Sequence, residues 1–168
     1  MLFFSCKKND LEIVYALTFK DTIPAMSIWD LQTIYTDSGR IKLQIQAPLV
    51  ERYSEDVNKK IYFTQGILVH FYNKHGEEES YMSSKYAIYH EEDNLWEASD
   101  SVVVVNSEGE ILNTELLFWD EKTEKIYSSK FVKITTVNDV IHGEGFEADQ
   151  TFSTWNIKKM TGTIYHTN

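Results

Sequence analysis

Ile41-Lys42-Leu43-Gln44-Ile45-Gln46-Ala47 alternates apolar and polar residues without a break. Side chains of an extended strand point to opposite faces in turn, so Ile41, Leu43, Ile45 and Ala47 share one face and Lys42, Gln44 and Gln46 the other. The pattern recurs downstream. Ile67-Leu68-Val69-His70-Phe71 brings Ile67, Val69 and Phe71 together; Leu112, Thr114, Leu116 and Phe118 share a face, as do Val132 and Ile134. Val102-Val103-Val104-Val105 is β-branched throughout, which suits a pleated surface and loses side-chain freedom in a helix. Turn residues punctuate these runs at Asp37-Ser38-Gly39, Asn73-Lys74-His75-Gly76, Glu91-Glu92-Asp93-Asn94 and Asn106-Ser107-Glu108-Gly109. With no crossover helices between the strands, the chain is expected to be all-β and antiparallel from Ser27 onward. The one helical candidate, residues 9–18 with Asp10 as its cap, fits an extended segment equally well.

The strands also repeat. Gly39, Gly76, Gly109 and Gly143 recur at intervals of 33 to 37 residues, each expected in a turn before a new strand. Ser83-Ser84-Lys85-Tyr86-Ala87-Ile88-Tyr89-His90 and Asn113-Thr114-Glu115-Leu116-Leu117-Phe118-Trp119-Asp120 look like two copies of one unit. Their returns, Leu95-Trp96-Glu97-Ala98-Ser99 and Lys125-Ile126-Tyr127-Ser128-Ser129, match as well. Helical repeats of similar period do not fit these β patterns, and the chain is too short for a propeller of ~40-residue blades. Stacked β-hairpins are expected.

Composition bounds the rest. The 168 residues weigh 19.6 kDa and carry 16 Lys plus Arg against 26 Asp plus Glu, a net charge of −10. Nucleic acid is thereby disfavoured as a partner, because its binders cluster cations against phosphates. A single Cys allows no internal disulfide and no Cys/His zinc pattern. The five histidines lack HExxH spacing, and neither a Gly-x-Ser-x-Gly elbow nor a phosphate loop occurs. No catalytic residue, metal site or cofactor is expected, and His142-Gly143-Glu144 reads as a strand bend. The acidic runs Glu77-Glu78-Glu79 and His90-Glu91-Glu92-Asp93 read as solvated turns, and Lys122, Lys125, Lys130 and Lys133 as a solvated basic strand face.

Met1-Leu2-Phe3-Phe4-Ser5-Cys6-Lys7-Lys8 resembles the truncated end of a bacterial lipoprotein signal, in which the Cys is acylated and becomes the mature N-terminus. Its apolar run is shorter than the ~7–15 residues of a working leader. The other reading is an apolar tail with an incidental free thiol. The organisation expected is residues 1–6 as signal end, 7–26 as linker and 27–168 as the β domain.

From about Leu31 to Tyr165 the chain resembles LptC, the periplasmic component of the lipopolysaccharide export ABC transporter, in a Bacteroidetes-like form. The resemblance rests on an ordered succession of segments. Ile34-Tyr35-Thr36-Asp37-Ser38-Gly39 is followed by Gln46-Ala47-Pro48, then Glu51-Arg52-Tyr53-Ser54 and Phe63-Thr64-Gln65-Gly66-Ile67. Next stand Phe71-Tyr72-Asn73-Lys74, the Leu112–Asp120 stretch and Ile126-Tyr127-Ser128-Ser129. His142-Gly143-Glu144-Gly145-Phe146-Glu147-Ala148-Asp149 and Thr161-Gly162-Thr163-Ile164 close the series.

The resemblance implies an open, twisted antiparallel β-jellyroll that takes lipopolysaccharide from the inner-membrane transporter subunits and passes it to the next jellyroll of a periplasmic bridge. Acyl chains would lie in an apolar groove lined by Ile41, Leu43, Ile45, Ile67, Val69, Phe71, Leu116, Phe118, Val132 and Ile134. The open sheet edges, residues 27–37 with Trp29 and Ile34 and residues 160–165 with Ile164 and Tyr165, would accept a partner's strand. Cys6 would anchor the chain on the periplasmic side of the inner membrane; many relatives use an N-terminal transmembrane helix there, so the mode of anchoring stays open. The apolar face is also compatible with an ordinary sandwich core. A lipocalin-like closed barrel would instead carry a small apolar ligand, but Ser27-Ile28-Trp29 stands where that fold wants Gly-x-Trp and the stacked hairpin repeat does not fit it well. An enzyme on this scaffold would need polar groups converging in one pocket. An eight-stranded outer-membrane barrel fits the length but lacks an apolar belt.

Overall fold

A computed structural model describes residues 23–53 and 59–165. Cys6, the candidate helix at residues 9–18 and most of the expected linker lie outside the described residues. The described chain is all-β, in eleven antiparallel strands of one sheet. They are β1 (Met26–Asp37), β2 (Arg40–Arg52), β3 (Lys60–Phe63), β4 (Ile67–Tyr72), β5 (Glu78–Ser84), β6 (Tyr86–His90), β7 (Leu95–Asn106), β8 (Ile111–Asp120), β9 (Lys125–Thr135), β10 (Asp139–Asp149) and β11 (Trp155–Tyr165).

The sheet is a meander of long rungs, two of which are broken in the middle. One half of β2 pairs with β4 and its far end with β3; one half of β7 pairs with β5 and the other with β6. The β3–β4 break falls at Gly66, whose φ of 96° and close approach to the Ser84 carbonyl (3.0 Å from an added Cβ) exclude a side chain. The β5–β6 break falls at Lys85, whose N–H donates to the Asp100 carbonyl at 3.0 Å.

The unbroken rungs bend at the same level. In β7 the ladder with β8 slips between Ser99 and Val102, and Asp100 and Ser101 both take left-handed φ values, 61° and 57°. In β8 the ladder with β9 slips between Thr114 and Phe118, and in β10 the ladder with β9 slips between Glu144 and Phe146, where Gly145 has φ 74°. Bulges bend and twist the strand that carries them. Side chains take over the freed backbone groups: Thr114 Oγ1 donates to the Phe131 carbonyl at 2.9 Å, and the Lys130 N–H donates to Ser128 Oγ at 3.0 Å.

Two half-sheets result, and they fold onto each other. Phe71 on β4 and Trp119 on β8 are three strand spacings apart along the sheet, roughly 14 Å, yet their rings stand edge to face at 5.1 Å. In one half, Val104, Leu112, Ile134 and Ile141 pair in a row beside Val102, Thr114, Val132 and Gly143. In the other, Trp96, Trp119, Ile126 and Ala148 form a row beside Ala98 and Leu117. These inward rows, except the half-buried Ile141, are buried and make one core.

At the C-terminal side the two halves are latched. Phe152, in the β10–β11 turn, is fully buried against Phe146 and Trp155, at ring distances of 5.9 and 6.4 Å. From the opposite half, Asn106 Nδ2 donates to the Phe152 carbonyl at 3.0 Å, and Glu110 accepts from Trp155 Nε1 at 2.8 Å. The β7–β8 and β10–β11 turns stand at opposite ends of the rungs, about 33 Å apart along a straight ten-residue strand. They meet because the rungs are bent.

Three expectations need correction. Leu116 and Phe118 do not share the face of Leu112 and Thr114. At the bend β8 runs one residue short of both neighbours, so Leu117 and Trp119 turn inward, and half-buried Phe118 stacks on Tyr127 (5.4 Å) on the outer face. A shift of one residue exchanges the two faces of a strand. Gly143 is not in a turn: it is buried inside β10, where an added Cβ would collide with the Ile157 side chain and the Lys159 carbonyl. Gly39, Gly76 and Gly109 do sit in turns, with φ of 77°, 81° and 77°. The closed lipocalin-like barrel is excluded, because among the described residues β1 pairs only with β2 and β11 only with β10, leaving two free edges.

Candidate functional site

The half-sheets stay apart on the side of β1 and β2. A cavity of about 910 Å³ opens there. One wall is formed by Thr33, Ile34 and Tyr35 of β1 and by Lys42, Leu43 and Ile45 of β2; the other by the turns that carry Glu121, Glu124, Gln150 and Thr151. Its floor is aromatic: Phe71, Tyr89, Trp96 and Trp119. Tyr89 stacks on Trp96 at 4.5 Å, Trp96 on Trp119 at 5.8 Å, and Phe63 backs Trp96 at 5.4 Å. Such ring pairs contribute beyond their buried area.

Glu121 ties this floor to the β8–β9 turn. It accepts from Trp96 Nε1 at 2.7 Å and from the Tyr89 hydroxyl at 3.4 Å. Burial, and then the Glu121 carboxylate, push the Tyr89 hydroxyl up to about 12. The rim mixes signs, with Lys42, Lys74 and His75 beside Asp37, Glu79, Glu121 and Glu124. A rim of that kind holds no single ionic group strongly. Asp149, at the foot of the latch turn, accepts from the N–H groups of Thr151, Ser153 and Thr154 and from all three hydroxyls, which holds its carboxyl far below the usual range despite partial burial.

The structure sorts the residues singled out from sequence. Leu43, Ile45 and Phe71 line the cavity. Ile67, Val69, Val132 and Ile134 are buried in the core and do not line it. Ile41 is 40% exposed at the outer end of β2, and Leu116 and Phe118 face away. Trp29 and Ile34 are exposed on edge strand β1, at 65% and 55%. The backbones of Ile164 and Tyr165 pair with Val140 and Asp139 on edge strand β11. Lys122, Lys125, Lys130 and Lys133 are exposed, with Lys125 bound to Glu147 at 2.6 Å. The floor residues Tyr89, Trp96 and Trp119 are not expected as lining from the alternation; Tyr89-His90 and Trp119-Asp120 close the two repeat copies, which is the signal that marks them.

No curated protein matches this chain. A family model does: residues 21–166 match the lipopolysaccharide-assembly, LptC-related family. The match spans the whole described sheet, from the exposed edge of β1 to that of β11, and agrees with an open β-jellyroll. The chain belongs to the LptC-related family of lipopolysaccharide-assembly proteins.

Proposed function

We propose that this protein receives lipopolysaccharide from an inner-membrane ABC transporter and passes it to the next jellyroll of a periplasmic bridge, holding the acyl chains in the cavity over Leu43, Ile45, Phe71, Tyr89, Trp96 and Trp119. One observation carries the reading: the inward face of an open sheet, elsewhere closed into a core, parts into a cavity of about 910 Å³ with an aromatic floor and a polar rim. Each buried methylene contributes ~0.8 kcal/mol, so about ten of them supply roughly 8 kcal/mol before ordering costs. Apolar contact is non-directional, which suits a lipid that must move on. The mixed rim leaves the anionic head in water. The free edges of β1 and β11 are the joints, each offering unpaired backbone groups to a neighbour's strand. Cys6, once acylated, keeps the domain at the periplasmic face of the inner membrane.

The test is site-specific photo-crosslinking in membranes that hold the transporter and lipopolysaccharide. Crosslinkers at Leu43 and Phe71 are expected to capture the lipid in an ATP-dependent manner. Crosslinkers at Phe118 and Lys133, on the outer face, are expected to stay silent. Capture at the outer positions without capture at Leu43 or Phe71 overturns the assignment of the groove.

A further inference from the structure

The cavity does not run the length of the sheet. Gln150 and Thr151, at the start of the β10–β11 turn, still line it, and the next residue, Phe152, is fully buried between it and β11. Beyond that block the inward face reopens. In the row of Val104, Leu112, Ile134 and Ile141 the first three are buried, whereas Ile141, two strands nearer the β11 edge than Leu112, is only half-buried. Val137, in the turn that leads into β10, is 79% exposed. The inward face thus has an opening on either side of the latch.

Each side of the latch is complete in itself. Phe152 packs on Phe146 and Trp155 of its own hairpin, and Asp149 caps the turn between them. The Gln150 N–H donates to the Glu124 carbonyl at 3.0 Å, within the same half. Opposite, Asn106 Oδ1 accepts from the N–H groups of Glu108 and Glu110 at 3.1 and 2.9 Å, which shapes the β7–β8 turn without help from the hairpin. The hydrogen bonds that cross between the two turns run from Asn106 Nδ2 to the Phe152 carbonyl at 3.0 Å and from Trp155 Nε1 to Glu110 at 2.8 Å. Water replaces both when the turns part, so neither turn has to unfold for the latch to open. Segments joined by few contacts open locally, well below the free energy of global unfolding.

We infer that this latch is an exit gate, shut while the β11 edge is unpaired and opened when a neighbour's strand docks on it. The inference rests on the reading of the cavity as a lipid groove. Phe152 stands three residues before Trp155, the first residue of β11, and Trp155 is itself the hairpin's donor across the latch. A strand that pairs with the free edge of β11 changes the twist of β11, and with it the place of Trp155 and of the turn that precedes it. The docked strand shifts the equilibrium because it pairs better with β11 in the open form than in the shut one. Lipid is held on the cavity side until a receiver is in place, and does not spill from an unpaired end.

The full chain is placed in membranes that hold the transporter, lipopolysaccharide and ATP, with a photo-crosslinker at Leu43, before the latch, or at Ile141, beyond it. Without the next jellyroll protein, capture at Leu43 is expected to exceed capture at Ile141 severalfold, and adding that protein should raise capture at Ile141. Two variants remove a bond across the latch and leave each turn its own contacts. Trp155→Phe keeps a ring against Phe152 and loses the N–H; Asn106→Asp keeps the acceptor for Glu108 and Glu110 and loses the donor. Each should raise capture at Ile141 about fivefold without the neighbour, the shift that one hydrogen bond gives a two-state equilibrium, with capture at Leu43 unchanged. Phe118→Leu on the outer face should change neither. Equal capture at both positions in the wild type without the neighbour, no rise when the neighbour is added, or no rise in either variant overturns the gate and leaves the groove standing. Loss of Leu43 capture in both variants makes the latch part of the groove's own framework and overturns the gate as well. Absence of capture at Leu43 in the wild type overturns the groove reading itself.

Discussion

Removing the Phe152 ring should release the latch between the half-sheets at a cost that the structure sets. The ring is fully buried between Phe146 and Trp155. A buried aromatic ring of roughly 200 Å² at ~25 cal/mol/Å² is worth about 5 kcal/mol at most, and Phe→Ala changes in cores cost ~3–5 kcal/mol. Phe152 also holds a left-handed backbone, φ 56°. Alanine keeps that strain, whereas glycine relieves about 1 kcal/mol of it. Phe152→Ala is therefore expected to lose ~3–4 kcal/mol and Phe152→Gly slightly less, the reverse of the usual order within a strand. With a urea m-value of ~1–3 kcal/mol/M, the unfolding midpoint should fall by about 1–4 M. Domain stabilities are ~5–15 kcal/mol, so both variants should still fold. An alanine variant that loses under about 1 kcal/mol, or that is more stable than the glycine variant, would refute the account of the latch.

Two more outcomes follow from burial and charge. Val132→Asp places a carboxylate at a fully buried site and should unfold the domain, while Leu43→Asp, half-buried at the cavity lip, should keep the fold and abolish acyl-chain binding; circular dichroism with a lipid-binding assay checks both, and equal loss of fold would make the cavity an ordinary core. Tyr89 is raised in the folded state to about 12, above its unfolded value of ~10, so its contribution to stability is complete below pH ~10 and is lost as pH climbs to about 12. Tyr86 is raised too, by burial and then Glu97. Tyr89→Phe should thus flatten part of the alkaline unfolding profile measured from pH 9 to 12, and an unchanged profile would count against the burial of that hydroxyl beside Glu121.

The middle of β2 was legible because its inward positions are apolar and its outward positions polar. In β2 nothing competes with the phase of Leu43, Ile45 and Ala47, and they turn inward as the alternation requires. In β8 the run Leu116-Leu117-Phe118-Trp119 is apolar on both phases, so alternation carries no information there, and the one-residue slip of β8 against β7 and β9 reverses the facing. The corner itself had left a trace. Ser84-Lys85-Tyr86 and Thr114-Glu115-Leu116 occupy the same place in the two repeat copies, and in both the hydroxyl donates to the carbonyl two residues on, at 2.9 and 3.4 Å. The copies were visible as a repeat, but their shared hydroxyl marks a bend only once the ladders are known. Of the cavity floor only Phe71 followed from the alternation; Tyr89 and Trp119 were marked as repeat ends but not as lining, because the meeting of Phe71 with Trp119 depends on folding the sheet over, which no local pattern encodes.

The two ends of the groove are built with different stiffness, and their residues say why. At the C-terminal end a buried ring, two side-chain hydrogen bonds between turns and the Asp149 cap fix the separation of the half-sheets. At the N-terminal end the outer wall is β1, in which every residue but Leu31 is exposed. Its ladder to β2 supplies backbone hydrogen bonds, yet little apolar area is buried behind it, and segments with few buried contacts open at the lowest free energy. The floor between these ends, Tyr89, Trp96 and Trp119, is held by ring stacking and by Glu121. In the proposed role, a lipid entering over Leu43 would meet a fixed aromatic floor, a compliant wall and a closed far end. That combination would let the cavity widen around a ligand without unfolding the core that defines it.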